Sequence, residues 1–70
     1  MSFAIVVSQF NQSITNQLLQ GAITRLNERG ILDEDMTVVK VPGAIEIPLA
    51  AKLLAQSRKY QAIICLGAII

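Results

Sequence analysis

With 70 residues, 53% of them hydrophobic and only 4% aromatic, and a net charge of +1, the chain sits where a single core is marginal on its own. One cysteine and no histidine exclude an internal disulfide and argue against a zinc site, so association or further chain is the remaining source of stability. The near-neutral balance, with no Lys/Arg cluster, argues against nucleic acid and anionic membrane as partners.

Phe3-Ala4-Ile5-Val6-Val7 is a short continuous apolar run, the pattern of a strand buried on both faces. It is too short for a signal-peptide core and lacks a basic lead. Ser8-Gln9-Phe10-Asn11 follows as a polar loop interrupted by one aromatic ring. From about Ser13 the period becomes helical, with Ile14, Leu18, Leu19, Ala22, Ile23 and Leu26 on one face. Asn11 or Ser13 can cap its start, and Gly30 fits the position just past its end. Gly21, midway along, costs about 1 kcal/mol against alanine and reads as tolerated.

After an acidic connection, Met36-Thr37-Val38-Val39-Lys40-Val41 predicts a second strand. Pro42 ends it, because proline cannot donate to a sheet ladder. A helix follows to about Ser57, with Ile47, Ala50, Ala51 and Leu54 on its apolar side and Pro48 tolerated in its first turn. Tyr60 to Leu66 predicts a third strand, in which Cys65 reads as a small core residue in a reducing compartment. No stretch approaches the ~20 apolar residues a membrane helix needs. A soluble, cytoplasmic chain is expected.

The order βαβαβ with apolar strands implies a parallel sheet with right-handed crossovers. Its two open edges, and helices enough for only part of its faces, make it look like the first half of a domain. Ligands of such sheets bind beyond the carboxyl ends of the strands. Three loops leave that edge: Ser8–Asn11, Pro42–Glu46 and Gly67–Ile70. If the first strand lies between the other two, a crevice opens there, and Phe10, Gly43–Glu46 and Ala68–Ile70 converge on it. Gly43 and Glu46 would give a corner with free amide donors and one carboxylate, suited to an uncharged ligand rich in hydroxyls. The plain alternative for the corner is an ordinary strand-to-helix turn. For Phe10 it is a staple tucked under the first helix. No phosphate-cradling glycine motif and no G-x-S-x-G occurs, and Asp33, Glu34 and Asp35 read as solvated surface.

Ser-Gln-Phe-Asn after the first strand, Val-Pro-Gly-Ala-Ile-Glu-Ile-Pro after the second and Leu-Gly-Ala-Ile-Ile after the third resemble the 6,7-dimethyl-8-ribityllumazine synthase family. The resemblance runs over essentially all 70 residues, without gaps. It implies a flavodoxin-like three-layer α/β sandwich, of which residues 1–70 are the N-terminal half of a single domain. It also implies riboflavin biosynthesis by a cofactor-free transferase. The reaction condenses 5-amino-6-(D-ribitylamino)uracil with 3,4-dihydroxy-2-butanone 4-phosphate to 6,7-dimethyl-8-ribityllumazine, phosphate and water. Further implications are a homo-oligomer of pentamers, in some members an icosahedral capsid, with each active site between subunits. By motif, Phe10 would stack on the pyrimidine beside Asn11. Gly43, Ala44, Ile45 and Glu46 would hold the ribityl chain, and Ala68, Ile69 and Ile70 would meet the uracil edge.

Two departures bear on function. Ile45 stands where many members carry an aromatic, a change in packing more than chemistry. The family's Arg-Gly-x-Thr-x-His segment, which binds phosphate and supplies a proton-shuttling histidine, is not among these residues. No catalytic residue is therefore assigned in the chain, and residues 1–70 alone are expected to be inactive. The alternatives are a truncated subunit serving as a ligand-binding or assembly module, and an unrelated flavodoxin-like fragment that binds a nucleotide or flavin.

Overall fold

A computed structural model describes residues 2–67. Three strands, β1 (Phe3–Ser8), β2 (Met36–Val41) and β3 (Ala62–Leu66), alternate with two helices, α1 (Gln12–Glu28) and α2 (Ile47–Ser57). All pairings are parallel and the order is β2-β1-β3, so the first strand lies in the middle as the crevice argument requires. This is the opening of the flavodoxin-like order 2-1-3, in which the chain reverses direction beside β1.

The two helices cover opposite faces of the sheet. On one, Ile5 and Val7 pack with Leu19 of α1, joined by Ile23, Leu26, Met36, Ile64 and Leu66. Side chains alternate along a strand, so Ala4, Val6 and Ser8 point to the other face, toward α2. The result is a helix–sheet–helix sandwich. Its centre is β1, where Ala4, Ile5 and Val6 are fully buried and Val7 nearly so. Burying side chains of this size contributes roughly 1.5–3 kcal/mol each, which is why the middle strand reads as an unbroken apolar run.

The outer strands are less covered than their composition predicts. Cys65 was expected in the core, but it is exposed. It shares a face with buried Val6, its partner in register. β3 is an edge strand among the described residues, whereas Val6 lies on the central one. β3 also begins at Ala62 instead of Tyr60, after Gln61 donates its N–H to the Ser2 carbonyl at 2.8 Å.

In α1 the buried stripe is Thr15 and Leu19, flanked by half-buried Ala22, Ile23 and Leu26. Ile14 and Leu18, placed on that face by spacing, remain 45% and 41% exposed. The helix is turned by about one residue from its most apolar aspect. Thr15 can face the sheet because its hydroxyl donates to the Asn11 carbonyl. Gly30 ends the helix with φ 87°. Its N–H meets the Asn27 carbonyl and that of Ile31 meets Leu26, the paired bonds of a left-handed helix stop. Gly21 faces open space, so it is tolerated and no close packing depends on it. In α2 the expected face is the observed one, with Ile47, Ala50, Ala51 and Leu54 half-buried and Leu49 and Leu53 left to solvent.

Candidate active site

The parallel register brings every strand to an end at one edge. Ser8 pairs with Val41, and Val7 with Leu66, so the three loops begin side by side. Gln9 then donates its N–H to the Val41 carbonyl at 2.7 Å, carrying the β1–β2 ladder into the first loop. Gly67, just past β3, completes the convergence. A methyl group built on it would stand 2.9 Å from Ile47 Cδ1, 3.3 Å from Ala44 Cβ and 3.8 Å from Ser8 Cβ. The backbone after β3 therefore lies against both strand-to-helix turns, and a side chain there would make Ile47 shift.

The first turn is set by two polar residues. Ser8, 1% exposed, accepts a hydrogen bond at Oγ from the Phe10 N–H at 3.1 Å. Asn11 adopts the left-handed conformation, φ 59° and ψ 60°, which asparagine tolerates better than most side chains. Asn11 is the helix cap, as one of the two expected residues, but it acts through its carbonyl, which accepts from the N–H groups of Ile14 and Thr15. Its side chain makes no cap bond and instead accepts from the Ser13 hydroxyl. Between them Phe10 is 55% exposed, so it is not stapled beneath α1. A staple needs an apolar residue four positions into the helix, and that position is Thr15.

The second turn runs from extended Gly43 through a single 3₁₀ turn, Ala44–Glu46, into α2, with Pro48 in its first turn. Glu46 is half-buried and folds back, its Oε1 accepting from the Gly43 N–H at 2.8 Å. The Glu46 N–H in turn donates to the Gly43 carbonyl at 3.2 Å. The corner thus has fewer free amides than expected. Two of its N–H groups are spent internally, and those of Ala44 and Ile45, first in the turn, have no partner within it. Glu46 keeps its second oxygen as an acceptor. Ile45 is 87% exposed beside this group.

Of the residues singled out from sequence, Phe10, Asn11, Gly43, Ala44, Ile45 and Glu46 belong to turns that meet at this edge. Ala68, Ile69 and Ile70 lie outside the described residues. Sequence reasoning placed Ser8 and Gly67 in the loops at this edge but gave neither a role in the site. A serine two positions before an aromatic at a strand end was the available signal, since its hydroxyl commonly accepts from the N–H two residues on. A separate open recess, lined by Asn27, Leu32, Asp33 and Glu34, lies at the opposite, amino-terminal edge of the sheet. Among the described residues no cluster of His, Cys, Asp or Glu could hold a metal ion. No described helix is long and apolar enough to cross a membrane.

Comparison with known proteins supplies the family. The model for 6,7-dimethyl-8-ribityllumazine synthase matches residues 1–70. The 6,7-dimethyl-8-ribityllumazine synthase of Coxiella burnetii (strain CbuG_Q212) is 57% identical over 67 residues, covering 96% of this chain and 44% of that protein. The enzyme of that name from Desulfotalea psychrophila is 57% identical over 68 residues, covering 97% of this chain and again 44% of the relative. The chain therefore spans less than half the length of the curated relatives it matches. By the family match over its whole length, the chain belongs to the 6,7-dimethyl-8-ribityllumazine synthase family.

Proposed function

We propose that this chain contributes the ribitylaminouracil side of a lumazine synthase active site. The subunit containing it condenses 5-amino-6-(D-ribitylamino)uracil with 3,4-dihydroxy-2-butanone 4-phosphate, giving 6,7-dimethyl-8-ribityllumazine, phosphate and water. The observation that carries this reading is the meeting of the three family-like loops at Ser8, Ala44 and Gly67. The exposed ring of Phe10 is free to stack on a pyrimidine. Asn11 sets the turn beside it. Ala44 and Ile45 offer backbone amides to the ribityl chain, Gly43 shapes the corner with its own N–H held by Glu46, and the unspent oxygen of Glu46 accepts from a ribityl hydroxyl. Ala68, Ile69 and Ile70 are assigned the uracil edge by motif alone. No cofactor is required for the condensation.

On this reading residues 1–70 are the N-terminal half of one domain. The phosphate-binding and proton-transferring groups come from the family's Arg-Gly-x-Thr-x-His segment, and a neighbouring subunit completes the site in a cytoplasmic homo-oligomer of pentamers, with an icosahedral shell as the larger form. Mass spectrometry of the purified protein, followed by assay of lumazine formation from both substrates, tests it. A subunit about twice as long as this chain that forms the lumazine, and a 70-residue chain that does not, are the expected results. A longer subunit without activity, or turnover by residues 1–70 alone, would overturn the assignment.

A further inference from the structure

We infer that Ser8 is a positioning residue for the pyrimidine-stacking ring, acting through Phe10 without touching the ligand; this rests on the ligand reading just given. Ser8 is one of two buried polar residues among those described, and its side chain is 1% exposed at the carboxyl end of the central strand. A hydroxyl there carries a desolvation cost that alanine would avoid, unless the hydrogen bond it makes has a use. Its one described bond is from the N–H of Phe10. That bond fixes the peptide carrying the ring, and the left-handed turn at Asn11 fixes the next. Phe10 is thereby held with 55% of its surface exposed, on backbone pinned from both sides. Ser8 also lies under the loop junction, with its Cβ 3.8 Å from where a side chain on Gly67 would begin. A small side chain with an acceptor oxygen is what this position accommodates.

The test is a double-mutant cycle in the full-length protein, with the Kd of 6,7-dimethyl-8-ribityllumazine read by fluorescence titration. Phe10→Ala should weaken binding about tenfold, the ordinary loss for one base-stacking ring. Ser8→Ala should weaken it about fivefold, the ordinary worth of one hydrogen bond. Because Ser8 acts through the ring, the double variant should be no weaker than Phe10→Ala alone. Losses that multiply in the double variant would mean a general structural role and overturn the proposal, as would unchanged binding by Ser8→Ala. Unchanged binding by Phe10→Ala would overturn the ligand reading itself, and with it this one. Amide exchange at Phe10 in the unsubstituted protein needs no variant. Protection supports the clamp, and exchange at the free-peptide rate overturns it.

Discussion

The two strand-to-helix turns at the carboxyl edge solve one problem by different means. Each must close a backbone N–H that its strand no longer pairs, and each uses a side-chain oxygen to do so. In the first turn the oxygen comes from behind, from buried Ser8 two residues earlier. In the second it comes from ahead, from Glu46 three residues later. A hydroxyl that is 1% exposed has nothing further to offer a ligand. A half-buried carboxylate with one oxygen engaged still has the other. On the proposed reading the first turn is a mount for a ring, whereas the second is both mount and contact.

The largest effect should come from removing the group with two duties. Glu46→Ala should raise the Kd of the lumazine product by roughly 30-fold and cost about 1 kcal/mol of stability in urea unfolding. Glu46→Gln separates the duties, since its amide oxygen can still accept from Gly43. Recovery of stability without full recovery of binding is expected; equal recovery of both would reduce Glu46 to a clamp. Phe10→Ala should behave oppositely, losing about tenfold in affinity while its stability stays within about 0.5 kcal/mol, because an exposed ring contributes little to the core.

A smaller effect should appear at the junction between the turns. Gly67→Ala should cost about 1 kcal/mol in urea unfolding, since its methyl would meet Ile47 Cδ1 at 2.9 Å. Ile47→Val removes that atom, so the same alanine should cost less in its presence. Equal cost in both backgrounds would place the conflict at Ala44 instead. Smallest is Gly21→Ala, on exposed α1 far from both turns, where nothing stands within 4 Å. A gain of about 0.5 kcal/mol is expected, with unchanged ligand affinity.

Much of the fold was legible because the chain is sharply punctuated. Pro42 and Gly43 end a β-branched run at Val41, and the structure ends β2 at that residue. Gly30 marks the stop of α1 for a reason that lies in its own backbone. The place of β1 between β2 and β3 entered only as a condition, because crossover direction is settled by packing and not by any residue. Coverage was less legible still. Cys65 and Val6 share a face and an apolar character, yet one is exposed and the other buried, a difference between a strand at the edge of the described sheet and the strand at its centre. At the site, the residue types in each turn could be read, but not how each turn uses its own amides. The return of Glu46 to Gly43 depends on the 3₁₀ turn between them, which spacing alone does not predict.

The internal bonds of the two turns carry a consequence for speed. Gln9 is tied to Val41, Phe10 to Ser8, and Gly43 to Glu46, all within the chain itself. On the proposed reading, a ligand arriving at these two turns meets backbone already tied by its own bonds and spends little binding free energy on ordering it. Its encounter with these turns should then be a single bimolecular step, with a rate that climbs linearly with concentration and shows no plateau.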